Sequence, residues 1–500
     1  MHRSIRIAVV TGLLGLATTM PGRAPATPAR VNALDAGTFL VPDDWDIANY
    51  YSLAPEFANH LYFYYPLTKK PYGWGDFEVK PLGTFVLWVN LPNPTAPIFG
   101  AVPALSALGY SNKLLGDSVA GVQDWDPKET RIATPDLKLG LGWGRRFGEA
   151  LSIGLCSRIA SQDATSADAD SAGVEGQLSN AAFASAYQLF TRSVTGYTQR
   201  QRSSTFALGP SVSWKAESFS VDAYVAFISL GVNNTWNASL DDGAGDTGTL
   251  RNTLVFDGSP TFQERLKVMV PLTEQVTFAF STQVTSLDLS TKHTVNGAFS
   301  GPGLTATQKA GMDATDGTET LTAAPWTGTA GVFMRNADYL VVVGIGANGA
   351  TLESKDVARL PKPSGATLSD QYDAARTDTR VTSMDVPVLM GVEYSMYSWL
   401  RLRAVAQRNL MGTTKTVTTS AEDTDGDGTM DESSKYTYET HDIHDWLLRL
   451  GFGVTTDRIG WDVLLNFQPN VSDYASPLFA TPSKITWRNP SITSAVVYKW

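Results

Sequence analysis

The sequence predicts an all-β protein: a transmembrane antiparallel β-barrel of about fourteen strands, with sixteen left open, and an N-terminal plug. Three observations carry this expectation. The last fifty-odd residues alternate apolar and polar side chains with a period of two. Short and long connections alternate between the strand candidates along the chain. No run of eighteen apolar residues exists beyond the N-terminus, and mean hydropathy is −0.11, which excludes a helical membrane protein.

The alternation is clearest at the end of the chain. Trp446, Leu448, Leu450, Phe452 and Val454 share one face, with Arg449, Gly451 and Gly453 on the other. After the Thr456-Asp457-Arg458 turn it resumes with Trp461, Val463, Leu465 and Phe467 against Asp462 and Asn466. Ile492, Ser494, Val496, Tyr498 and Trp500 repeat it. Lipid outside and a polar lumen inside require such two-faced strands. The aromatic end, Val496-x-Tyr498-x-Trp500, resembles the C-terminal assembly signal of bacterial outer-membrane barrels. That resemblance implies outer-membrane lipid and the barrel-assembly machinery as partners. A soluble β-protein ending in Trp is the alternative.

Working back, short connections fall near 144–149, 214–218, 271–274, 335–338, 395–398 and 455–459. Long ones fall near 91–134, 160–203, 231–261, 287–325, 348–380, 411–445 and 469–490. Membrane barrels have short periplasmic turns and long outside loops, whereas compact soluble domains rarely hold connections of this length. Further strands are open at Leu61–Tyr65 and in Ala182–Phe190. The expected inward, lumen-facing charges include Arg265, Lys267, Asp385, Glu393, Arg401, Arg403, Arg449 and Asp462. They either line a pathway or merely cross-pair inside the wall.

Composition narrows the class. The net charge of −10 argues against nucleic acid. Cys156 is the only cysteine, so there is no disulfide framework and no thiolate zinc site. The basic residues Arg3 and Arg6, an apolar stretch from Ile7 to Met20 and Ala24-Pro25-Ala26 read as an export signal cut after Ala26, or after Ala33. The expected organisation is a signal peptide over 1–26, a plug over 27–77 and the barrel over 78–500, in a Gram-negative outer membrane.

The plug expectation rests on a stretch too apolar for a disordered tail yet without sustained period. It contains Leu34-Asp35-Ala36-Gly37, then Asp43, Asp44 and Asp46 around Trp45, then Ser52-Leu53-Ala54-Pro55. This stretch is similar to the N-terminal region of the FadL-type hydrocarbon and fatty-acid transporter family, although the family's Asn-Pro-Ala element is absent. The resemblance implies an N-terminal hatch in a fourteen-stranded barrel that passes apolar small molecules sideways into the membrane.

Asp423, Asp425, Asp427, Thr429 and Asp431, with Gly428 after the third carboxylate and Gly426 before it, resemble a helix-free calcium loop. Position twelve is Ser434 rather than Glu, so it is no EF-hand. The expectation is a structural Ca2+ ion stiffening an outside loop, with a solvated acidic turn as the alternative. His441-Asp442-Ile443-His444-Asp445 reads as a polar rim, and Gly344-Ile345-Gly346-Ala347-Asn348-Gly349 lacks the helix of a dinucleotide site. Apolar residues between Ile98 and Val122, with Phe183, Tyr187 and Phe190, suggest loops folded over the mouth or packed on one another. No catalytic constellation is present in the sequence, so no enzyme is expected. The functional expectation is passive uptake of hydrophobic or small amphipathic molecules, with a structural or adhesive surface barrel as the alternative.

Overall fold

The computed structural model describes Arg30, Leu34 and residues 40–66, 71–90, 137–167, 194–241, 247–258, 261–300, 315–361, 371–422, 430–441, 446–467, 469–470, 486–487 and 491–499. Two 3-10 turns, Asp44–Ala48 and Tyr51–Glu56, precede the strands. β1 (His60–Pro66), β2 (Tyr72–Val79) and β3 (Gly83–Val89) are short. β4 (Leu137–Phe147), β5 (Leu151–Ala167), β6 (Val194–Lys215), β7 (Ser220–Asp241), β8 (Thr247–Gly258) and β9 (Thr261–Pro271) follow. The longest run is β10 (Val276–Ser300), β11 (Thr315–Arg335), β12 (Tyr339–Pro361), β13 (Gln371–Tyr397) and β14 (Leu400–Glu422). β15 (Glu432–His441), β16 (Trp446–Thr455) and β17 (Ile459–Phe467) come next. β18 (Pro469–Asn470) and β19 (Thr486–Trp487) form a small ladder of their own, and β20 (Ser491–Lys499) ends the wall.

β8 and β9 follow each other along β7 with a one-residue shift in register, and β15 and β16 continue one register along β14. Each pair is one stave interrupted once, so the wall has sixteen staves. All pairings are antiparallel, and β20 closes the ring by pairing with β1, Leu61 opposite Tyr498. Closure leaves no edge whose N–H and C=O groups would face hydrocarbon, the condition for a sheet to span a bilayer.

The wall reaches the sixteen strands left open beside the count of fourteen, and Leu61–Tyr65, named as a place for a further strand, lies in β1. The additional staves are β1 and β2, and both lie in or across the stretch 27–77 expected to be plug. The wall therefore begins at His60. These strands hide because their inner face is aromatic rather than polar: Tyr62, Tyr64, Tyr72 and Trp74 point inward while Phe63 and Tyr65 are exposed outward. Without a polar face, a strand shows no period. The second stretch left open, Ala182–Phe190, lies outside the described residues, as does the apolar run from Ile98 to Val122.

A second correction concerns strand length. Most of the connections expected near 231–261, 287–325, 348–380 and 411–445 are continuous strand, so β13 reaches 27 residues and β10 reaches 25. A tilted strand needs only about 9–11 residues to cross a bilayer. Beyond that height both faces meet water, and the apolar alternation that marks a strand in sequence disappears. Opposite these tall staves, β1 and β3 hold only 7 residues each.

The membrane-facing side is legible in exposure. Leu141, Ile153, Leu208, Val343, Ile345 and Met390 are exposed apolar side chains on the outer face, a surface that only lipid solvates well. Val496 and Tyr498 lie on the outer side of the closing strand β20, whereas Trp500 falls outside the described residues. Placing a cation in this belt with Val343→Arg should destabilise the barrel by about 2–4 kcal/mol. Thr419→Arg, on the outer face of β14 far beyond the belt, should stay within about 0.5 kcal/mol. Denaturant unfolding of the two variants in lipid vesicles measures the difference.

Candidate functional site

The inner face of the wall is built to receive Arg30, Leu34 and residues 40–57. Inward glycines mark where the two meet. A methyl group at Gly142 would run into the Tyr51 ring, one at Gly154 into the backbone of Tyr51 and Ser52, and one at Gly391 into the carbonyl of Leu34. Glycine here allows close backbone approach. Leu34, Leu40 and Val41 enter a cluster with Ala279, Phe333, Leu340, Val342 and Leu389 of β10–β13. On the opposite side, the Ser52 N–H donates to Ser211 Oγ at 2.8 Å, and the Ser52 and Ser213 hydroxyls lie 2.7 Å apart.

Between these contacts, charge does the anchoring. Asp46 is buried against Lys267 of β9, Nζ donating to Oδ2 at 2.6 Å. Burial pushes the Asp46 carboxyl above its ordinary value, and the Lys267 ammonium pulls it partly back. Asp43 binds Arg30 at 2.9 Å, and Arg30 holds Glu393 with Nε at 2.9 Å and Nη2 at 3.2 Å. Glu393 also accepts from Arg403 Nε at 2.6 Å, and Arg403 continues to Asp462 of β17. Arg401 stands 3.8 Å from Glu393. Arg30, Asp43, Glu393, Arg403 and Asp462 thus form one buried chain of alternating charge. At the rim, Lys215 donates to Glu56 at 2.6 Å and Arg146 lies 3.4 Å from it.

These contacts gather near the short turns. Glu393 lies just before the β13–β14 turn, Arg403 just after it, Asp462 just after the β16–β17 turn and Lys267 just before the β9–β10 turn. The N-terminal segment therefore sits at the end of the lumen that a membrane barrel turns toward the periplasm.

Of the expected residues, the structure joins Asp43 and Asp46 to Lys267, Glu393, Arg401, Arg403 and Asp462. It places the others elsewhere. Asp44 belongs to the first 3-10 turn. Arg265 is inward on β9, two residues from Lys267. Arg449 is in register with Val405, one inward step beyond Arg403, and Asp385 sits farther along β13 opposite Gly412. Asp423, Asp425, Asp427 and Thr429 lie outside the described residues, and only Asp431 of that loop falls inside them. Among the described residues no group of three His, Cys, Asp or Glu could hold a metal ion.

Several site residues are not singled out by the sequence. Arg30 has none of the periodicity that identifies wall residues. Arg158 of β5 donates to the Tyr51 hydroxyl at 2.9 Å and to the Ala48 carbonyl; the alternation of Leu151, Ile153 and Leu155 does place it inward. A row of rings lines β1–β3: Tyr62 stacks on Trp74 with centroids 3.9 Å apart, Trp74 lies 4.5 Å from Trp88, and Trp88 meets Tyr51 edge-on at 6.3 Å. The row begins in the wall and ends in the N-terminal segment. Where that segment joins the wall, Asn59 takes a φ of 70° and accepts from the Glu78 N–H at 3.3 Å, a left-handed turn that asparagine tolerates.

No family model matches the chain, and no curated protein matches it. Similar solved structures include the Pseudomonas putida toluene transporter TodX, at 12% identity and a TM-score of 0.37, over 96% of this chain and 99% of that one. A Pseudomonas aeruginosa FadL homologue has 12% identity and a TM-score of 0.36, over 95% and 100%. The ferric yersiniabactin uptake receptor FyuA of Yersinia pestis has 8% identity and a TM-score of 0.32, over 88% and 79%. At these scores the fold rests on the strand pairing alone.

The buried pair gives a direct test of the anchoring. Lys267→Met leaves the Asp46 carboxylate buried without its cation, which should weaken docking of the segment by about 3–5 kcal/mol. Hydrogen exchange over residues 44–56 should accelerate while the β9 and β10 amides stay protected.

Proposed function

We propose that the chain is an outer-membrane channel through which hydrophobic or small amphipathic molecules move down their gradient, with residues 27–57 as its removable closure. The observation that carries this reading is how the segment is seated. It enters the wall through buried ion pairs and hydroxyl contacts as much as through apolar packing, so water and wall charges can solvate both surfaces once it leaves. A segment serving only as structural core would be expected to dock through apolar burial, because a buried ion pair is weak evidence for stability. The aromatic row on β1–β3 and the apolar cluster on β10–β13 support an apolar or amphipathic cargo over a hydrated ion. The apolar outer belt and the closed ring support outer-membrane placement, and residues 1–26 fit export. This reading makes the protein a channel rather than an enzyme.

The test is conductance of the refolded mature chain in planar bilayers. Deletion of residues 27–57 should turn a silent barrel into a steadily conducting one. Large conductance in the intact chain, or silence in both, contradicts the closure. The deletion must stop before His60, since removing residues to 77 would take out β1 and most of β2.

Calcium at Asp423, Asp425, Asp427, Thr429 and Asp431 belongs to the same proposal, as a brace for an outside loop. The carboxylate and hydroxyl set suits a hard cation of extracellular affinity, in the range of roughly 10⁻⁴–10⁻³ M. Calorimetric calcium titration should show saturable binding that the Asp425→Ala, Asp427→Ala variant loses. A wild-type chain that takes up no calcium removes the brace from the reading.

A further inference from the structure

We propose that the outer face of β12–β15, just beyond the apolar belt, is a binding site for the phosphorylated headgroup of an outer-leaflet glycolipid. The argument begins with position. On β13 the last exposed apolar residue is Met384, and four residues farther on comes Arg380; on β14 the corresponding pair is Met411 and Lys415. Met384 pairs with Thr413 and Lys415 with Thr382, two rungs apart and on the same face, so belt and cations are consecutive levels of one continuous surface. Whatever solvates the belt must present its headgroups at this height.

Charge supplies the second argument. Beyond the belt, the described outward residues of β12–β15 include five cations: Lys355, Arg376, Arg380, Lys415 and Lys435. Three carboxylates share the face: Glu353 is 3.4 Å from Arg380, Asp378 is 2.9 Å from Arg376 and Glu439 is 3.9 Å from Lys415. The side chains of these pairs are about one third to two thirds exposed, so solvent screens them and their cations remain able to bind an outside anion. A net positive band is against the grain of a chain whose formal charge is −10. Arginine offers a phosphate two parallel donors and lysine a mobile point charge, and cations near a bilayer surface attract anionic headgroups.

The shape of the barrel supplies the third. Only the tall staves carry a wall past the belt. β1, β3, β17 and β20 hold 7 to 9 residues each. A headgroup site of this kind therefore cannot lie on these low staves, and on β12–β15 it would orient the barrel against its lipid.

The experiment uses the full chain in phosphatidylcholine nanodiscs containing lipid A, either bis-phosphorylated or dephosphorylated, with bound lipid counted by native mass spectrometry. The wild-type chain should retain the phosphorylated form about tenfold better, less so at high salt. The Arg380→Glu, Lys415→Glu variant should lose the preference. Equal retention of the two lipids by the wild-type chain overturns the site, whether or not the variant folds. So does an undiminished preference in a folded variant. Equal retention of phosphatidylglycerol would show a general attraction to anionic surfaces and overturn the glycolipid assignment.

Discussion

The ladder between β1 and β20 is the contact on which the rest of the molecule depends. In hydrocarbon an unpaired backbone N–H or C=O finds no water, and each one costs several kcal/mol. An open sheet of sixteen staves would present two such edges to lipid. Pairing His60–Pro66 with Thr493–Lys499 removes both. Closure also creates the inner face, and with it a space in which side chains meet neither bulk water nor lipid. The burial of Lys267, Arg403 and Asp462 follows from it, as does the row of rings on β1–β3.

Inside that space the chain satisfies charge with charge. Asp43, Asp46, Glu393 and Asp462 would each be costly if left alone in a dry interior. Arg30, Lys267 and Arg403 make them tolerable. The Coulomb gain of such pairs roughly offsets their desolvation, so their net stability is small while the penalty for removing one partner is large. This combination suits a part that must sit in one place and still come away whole. Arg30 is the pivotal residue, since one guanidinium joins a carboxylate of the segment to a carboxylate of the wall. Apolar docking alone would hold the segment without specifying where it sits.

How much of this was legible depended on the solvent each residue meets. Fourteen staves showed themselves because lipid on one face and polar surroundings on the other impose a period of two. Val343 and Ile345 against Val342 and Gly344, or Leu402 against Arg401 and Arg403, needed no structure to be assigned. The charges Lys267, Glu393, Arg403 and Asp462 were legible for the same reason, as polar residues interrupting an apolar strand. β1 showed only as the open stretch Leu61–Tyr65 and β2 escaped, because an aromatic inner face erases the contrast. The upper halves of β10 to β14 escaped because water on both faces erases it too. Nothing local identifies Arg30 or Tyr51, whose roles exist only against strands far along the chain, Glu393 for Arg30 and Trp88 and Arg158 for Tyr51. Tyr51 leaves a trace on its partners, as inward glycines at Gly142 and Gly154 where an ordinary strand would place side chains, and Gly391 does the same for Leu34.

The two halves of the wall follow different rules, and that asymmetry links the fold to its proposed work. The low staves β1–β3, β17 and β20, with 7 to 9 residues each, do not exceed what a bilayer requires, and β1–β3 carry the rings on their inner side. The tall staves β10–β14 carry the apolar cradle for Leu34 and Leu40 near the short turns, and a charged outer face far above it. A symmetric porin would have no use for one apolar, low side and one polar, high side. A molecule that is poorly soluble in water would have such a use. It needs apolar surface wherever it must be accepted, whereas the tall side needs charge only to meet headgroups and solvent. The N-terminal segment touches both kinds of wall at once, Tyr51 against Trp88 and Leu40 against the cradle. Its departure would therefore expose apolar surface on two sides of the lumen together, which links the closure to the cargo.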